Sequence, residues 1–265
     1  MDYSKIILMA MLAGGFTYLC TTLGSALVFF IKEAKRDQKL YMQLALGFSA
    51  GIMLAASIFS LIIPALDASD GVGNQRLVPV VGGFILGVAF LIMLDKCMPH
   101  LHVMSHSPEG PKSTLGKHTL LFLAITIHNI PEGMAVGVAI ASSSLGNSLL
   151  SATAVLTLGI GLQNIPEGAA VSMPYFAGGM GRFKAFVLGS LSGIVEPIAA
   201  VLVVLVAESV APLLPWFLSF AAGAMMYVIV EELIPQAHDL ENSDKGTLSV
   251  LSGFLLMMIL DVALG

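Results

Sequence analysis

Charge is what this chain has least of. Only 11% of its 265 residues are Asp, Glu, Lys or Arg, while 57% are hydrophobic and the mean hydropathy is +0.91. That composition excludes an ordinary soluble domain and describes a polytopic membrane protein with the lipid bilayer as its solvent. Cysteine is almost missing: Cys20 and Cys97 are the only two, each in or beside an apolar run, so no disulfide framework is expected. Long polar linkers are lacking as well, which leaves one helical bundle over residues 1–265 and no separate soluble domain. The first apolar run carries little positive charge before it and no clear small-residue cleavage site, and so reads as a retained span and not a removed signal. The net charge of −5 is distributed by loop, and no nucleic-acid partner is expected.

A crossing needs ~20 apolar residues. The chain then parses into eight spans, at about 6–31, 40–66, 77–96, 118–140, 148–173, 184–207, 212–235 and 247–264. Lys and Arg set the orientation. Ten of the twelve lie in the loops 1–2, 3–4, 5–6 and 7–8, with only Lys5 and Arg76 on the other side. Both termini are therefore expected outside the cytoplasm, with a prokaryotic inner membrane as the setting.

The repeats come next. IHNIPEG at 127–133 returns as LQNIPEG at 162–168. Span 2 reads FSAGIM and ends IIPALD, while span 7 reads FAAGAM and ends LIPQAHD. Gly51 stands sixteen residues before Asp67 and Gly223 sixteen before Asp239, although Pro64 and Pro235 are one position out of phase. Spans 2 and 7 run in opposite directions, as do spans 4 and 5, which is the pattern of an inverted repeat about an axis in the membrane plane. Spans 1–3 then correspond to spans 6–8, and the two NIPEG segments meet near the bilayer midplane.

His128 and Glu132 are four apart and share a helix face, and Gln163 and Glu167 repeat that spacing. Pro131 and Pro166 deprive the carbonyls of Ile127 and Leu162 of their helical donors, so each helix is disturbed where its polar residues sit. An ionised Glu at the bilayer centre costs roughly 2.5–3.5 kcal/mol on insertion scales. Glu132, Glu167 and Glu196 have no Lys or Arg at their depth. A cation from outside the protein is the remedy. Imidazole, carboxylate and amide oxygen suit Zn²⁺, with Mn²⁺, Fe²⁺ and Cd²⁺ as neighbours. Asn129, Asn164 and Glu196 offer a second position beside the first.

The motifs HNIPEG and QNIPEG, the VEP of span 6, the EELIPQAHD ending span 7 and the His-bearing loop after span 3 resemble the ZIP family of divalent-metal transporters, in its bacterial GufA-like branch. The resemblance covers all eight spans. It implies inward metal movement, no organic cofactor and, in many members, a homodimer. It matches His128, Glu132, Gln163 and Glu167 to the transport-site ligands, with Met53 as a thioether ligand, and Asn129, Asn164 and Glu196 to a second metal position. Several members carry aspartate where this chain has Asn164. The resemblance further implies a cytoplasmic release route through Asp95, His100, His102, Glu231 and Glu232, and rocking of spans 1, 4, 5 and 6 against spans 2, 3, 7 and 8.

Two other classes stay open on the residues alone. An intramembrane zinc hydrolase would use His128 as ligand and Glu132 as general base, although its donor set lacks further histidines at helical spacing. A passive metal channel would differ from a carrier in its saturation kinetics.

Overall fold

A computed structural model describes residues 3–30, 35–69, 73–99, 110–112, 116–145, 150–207, 213–238 and 243–264, and every regular element among them is helical. Helix α1 (Tyr3–Ala26) runs on through a 3₁₀ turn, Leu27–Phe29, as span 1. Span 2 is α2 (Lys35–Ala56), a π-turn at Ser57–Ile62 and α3 (Ile63–Asp67). Helices α4 (Leu77–Cys97), α5 (Lys117–Leu145) and α6 (Leu150–Ala177) are spans 3, 4 and 5. Span 6 is broken into α7 (Arg182–Ser192) and α8 (Val195–Ala207). Span 7 joins α9 (Leu214–Val228) to α10 (Ile234–Ala237) through a second π-turn at Ile229–Leu233, and α11 (Ser243–Leu264) is span 8. Seven of the eight spans are long and apolar enough to cross a membrane by themselves. The exception is α6, whose polar residues lower its hydropathy and which packs against α1, α2, α5 and α7.

The inverted repeat is written in the glycines. A side chain at Gly87 of span 3 would strike the Phe220 carbonyl and the Ala224 nitrogen of span 7; one at Gly253 of span 8 would strike the Phe48 carbonyl and the Ile52 nitrogen of span 2. Phe48 and Ile52 stand to span 2 as Phe220 and Ala224 stand to span 7. Gly51 and Gly223 complete the pattern by closing on the backbones of Val250 and Phe84. The central spans follow suit, Gly133 resting on the Glu196 backbone and Gly168 on that of Thr21. Small residues let helix backbones meet where lipid offers no hydrophobic drive for association.

These approaches fall into two sets. Spans 1, 4, 5 and 6 close on one another at Gly14, Gly24, Gly133, Gly137 and Gly168, and spans 2, 3, 7 and 8 at Gly51, Gly87, Gly223, Gly246 and Gly253. Across the seam, Gly159 of span 5 meets the side chains of Met257 and Ile52 and no backbone.

The phase slip between the prolines has a local cause. Proline lacks an N–H and crowds the carbonyl four residues earlier, and a π-turn ahead of it opens the helix there. In both spans the residue before the proline donates five residues back, Ile63 to the Ile58 carbonyl and Ile234 to that of Ile229. The π-turn is six residues in span 2 and five in span 7. That one residue takes up the difference.

Candidate metal centre

Helices α5 and α6 run continuously through Pro131, Pro166 and Pro174, so the NIPEG segments stay helical and keep their i, i+4 pairs on one face. His128, Glu132 and Glu167 converge, each offering one ligand atom within 4.8 Å of the others. Nε2 of His128 lies 3.9 Å from Glu132 Oε1 and 3.8 Å from Glu167 Oε2. Two ligand atoms about 2.1 Å from one tetrahedral zinc stand about 3.4 Å apart. The two distances from His128 are a few tenths of an ångström wider, within reach of side-chain rotation.

Gln163 is the fourth member. Its Nε2 donates to Glu132 Oε1 at 2.8 Å, and its own backbone carbonyl accepts from the Ser49 hydroxyl at 2.9 Å. Glu132 Oε2, both carboxylate oxygens of Glu167 and Oε1 of Gln163 are buried without a hydrogen-bond donor. Four such oxygens in one place are costly to bury unless a cation is there to take them. No Lys or Arg stands among the intramembrane residues of spans 4 and 5 to serve instead.

Of the three residues expected at a second position, Asn164 and Glu196 meet. Asn164 Nδ2 donates to Glu196 Oε2 at 2.8 Å and the Thr21 hydroxyl to Glu196 Oε1 at 3.0 Å. Asn129 is buried beside His128 with its Nδ2 lacking an acceptor. Met53 is fully buried and belongs to the main apolar cluster.

The residues expected on a release route part company. Glu232 turns inward, its Oε2 standing 3.5 Å from His128 Nδ1, while Glu231 is exposed. Asp95, at the end of α4, lines a different pocket with Lys96, Gly110, Pro111 and Tyr227. His100 and His102 lie outside the described residues. A narrow cleft reaches His128 and Glu167 past Glu232, Leu233 and Gln236, at the C-terminal end of span 7. A second narrow pocket, lined by Ser60, Pro64, Ser142, Thr153 and Leu218, lies toward the opposite ends of spans 2, 4 and 7.

Thr21 and Ser49 were not singled out by sequence. A hydroxyl in an apolar run carries little signal of its own. Gly14 and Gly189, 175 residues apart, do mark the register of spans 1 and 6, and the same offset pairs Thr21 with Glu196.

Comparison with known proteins identifies the family. The family described as ZIP Zinc transporter matches residues 112–261. The chain is 34% identical to the zinc transporter ZIP11 of Homo sapiens, over 98% of each chain. It is 39% identical to the zinc transporter GufA of Myxococcus xanthus, over 83% of this chain and 85% of that one. It is 37% identical to the zinc transporter ZIPB of Bordetella bronchiseptica, over 97% of this chain and 81% of that one. Eight helical spans in an inverted repeat, a buried cluster of His128, Glu132 and Glu167 among them and these relatives lead to one conclusion: the chain is an integral membrane protein of the ZIP family of zinc transporters, a metal-transport family and not an enzyme.

Proposed function

We propose that this chain carries Zn²⁺ into the cytoplasm by alternating access, binding it at the midplane between spans 4 and 5 through His128, Glu132, Gln163 and Glu167. Mn²⁺, Fe²⁺ and Cd²⁺ fit the same mixed nitrogen and oxygen donors. The observation that carries the reading is the cluster of donorless buried oxygens around the His128 imidazole.

Two features support alternation. The cleft that reaches His128 and Glu167 opens past Gln236, toward the side that holds ten of the twelve basic residues and hence the cytoplasm. In the other direction the next turns of α5 and α6 are closed, Ala135, Val136, Leu156 and Ile160 being at most 1% exposed. This arrangement is an inward-facing one, with both termini extracytoplasmic. The two glycine-bound sets of spans supply the moving parts, 1, 4, 5 and 6 as one body and 2, 3, 7 and 8 as the other. Glu232 receives the ion on its way inward, and Asp95, His100, His102 and Glu231 continue the route. A homodimer and a bacterial inner membrane are the setting proposed with it.

The test is zinc influx into proteoliposomes holding a metal-sensitive dye, comparing wild type with Glu167→Ala and with Lys184→Ala as an exposed control. Saturable flux that Glu167→Ala abolishes and Lys184→Ala retains supports the carrier. Flux rising linearly with zinc supports a channel, and normal transport by Glu167→Ala removes the site.

A further inference from the structure

The two halves of the polar centre differ in their carboxylates. Around His128 three carboxylate oxygens and the Gln163 amide oxygen await a donor; in the other half Asn164 Oδ1 lacks one too, but both carboxylate oxygens of Glu196 are already engaged. Oε1 accepts from the Thr21 hydroxyl at 3.0 Å and Oε2 from the Asn164 amide at 2.8 Å. The same Asn164 Nδ2 reaches the Thr17 carbonyl at 3.3 Å, so both of its N–H groups are engaged.

Backbone adds to this. Span 6 breaks at Gly193 and Ile194, and Glu196 falls in the first turn of α8. The dipole of a helix N-terminus favours a carboxylate there. Glycine suits the break: a side chain at Gly193 would meet both Glu196 Oε1 and Thr21. The Glu196 carboxylate is thus satisfied by span 1 and by span 5, without a cation.

We infer that the second metal position is closed in this chain, the Asn164 amide standing where a second ion would, and that Glu196 fastens spans 1, 5 and 6 together instead of ligating metal. An amide N–H aimed at a carboxylate blocks ligation from that side, and Asn164 brings no charge to repay an ion for its water. An aspartate at 164 would reverse both conditions. Two carboxylates would then face each other where one now faces a donor, and a cation would be required between them. Zinc accordingly passes through this chain one ion at a time. The inference rests on the reading that the His128 cluster takes that one ion.

The experiment counts zinc bound per chain on the purified full-length protein, by equilibrium dialysis and elemental analysis. Glu132→Gln is expected to lose one ion relative to wild type. Glu196→Gln is expected to bind as many as wild type, Asn164→Asp one more, and the double variant Asn164→Asp with Glu196→Gln to lose that extra ion again. Ions held elsewhere cancel in these differences. A loss of one ion in Glu196→Gln, or no gain in a folded Asn164→Asp, overturns the closed second position. A full count in Glu132→Gln overturns the site reading beneath it. Should Asn164→Asp not fold, wild type against Glu196→Gln decides alone.

Discussion

His128 Nδ1 faces Glu232 Oε2 at 3.5 Å, across the boundary between span 4 and span 7. The other ring nitrogen, Nε2, faces Glu132 and Glu167. One imidazole therefore faces carboxylates of both glycine-packed sets of spans. A carboxylate behind a metal-binding histidine fixes which nitrogen is presented and raises its basicity.

Glu232→Gln is expected to weaken zinc binding by about 10-fold or somewhat more, the usual cost of losing such a partner. The number of ions bound should not change. Competition against a fluorescent chelator measures it, and wild-type affinity in the variant would detach Glu232 from the site.

Acid should slow uptake. Metal binds the neutral imidazole and the ionised carboxylates, so protons compete with zinc for His128, Glu132 and Glu167. The sign is fixed: binding is strongest at higher pH and is lost as pH falls. Initial rates in proteoliposomes at fixed free zinc, taken from pH 8 down to pH 5, are expected to decline, and a flat profile counts against this ligand set.

Glycine-to-valine changes test the packing symmetry. Gly87→Val and Gly253→Val each drive a side chain into a facing backbone and should cost roughly 1–3 kcal/mol, the range for overpacking. Because the two positions are related by the inverted repeat, their losses in thermal stability should be alike. Gly15→Val, which meets nothing within 4 Å, should leave melting unchanged; equal losses at all three would mean that close approach is not the cause.

Much of this arrangement was legible in the chain. All eight spans were readable because a crossing demands some twenty apolar residues in a row, and the i, i+4 spacing in NIPEG already placed His128 with Glu132. The break at Gly193 was not readable, because a Gly followed by apolar residues also suits an unbroken membrane helix. Glu232 was expected farther along an exit route. Its turn toward His128 depends on the π-turn at Ile229–Leu233, which shifts the face that Glu231 and Glu232 present, and a π-turn has no periodicity of its own to read. Thr21 became visible only when span 1 was laid over span 6.

The confinement of glycine–backbone contacts to the interior of each set of spans also divides the chain for the geneticist. Substitutions at Gly51, Gly87, Gly133 or Gly168 should behave as loss of protein, scored by missing chain in the membrane and indifferent to which metal is offered. Along the seam, where the Met257 and Ile52 side chains meet Gly159 and the Ser49 hydroxyl donates to the Gln163 carbonyl of α6, substitutions leave each set intact and, under the proposed alternation, change how the two move. Variants selected for altered transport rate in cells should therefore collect along that seam.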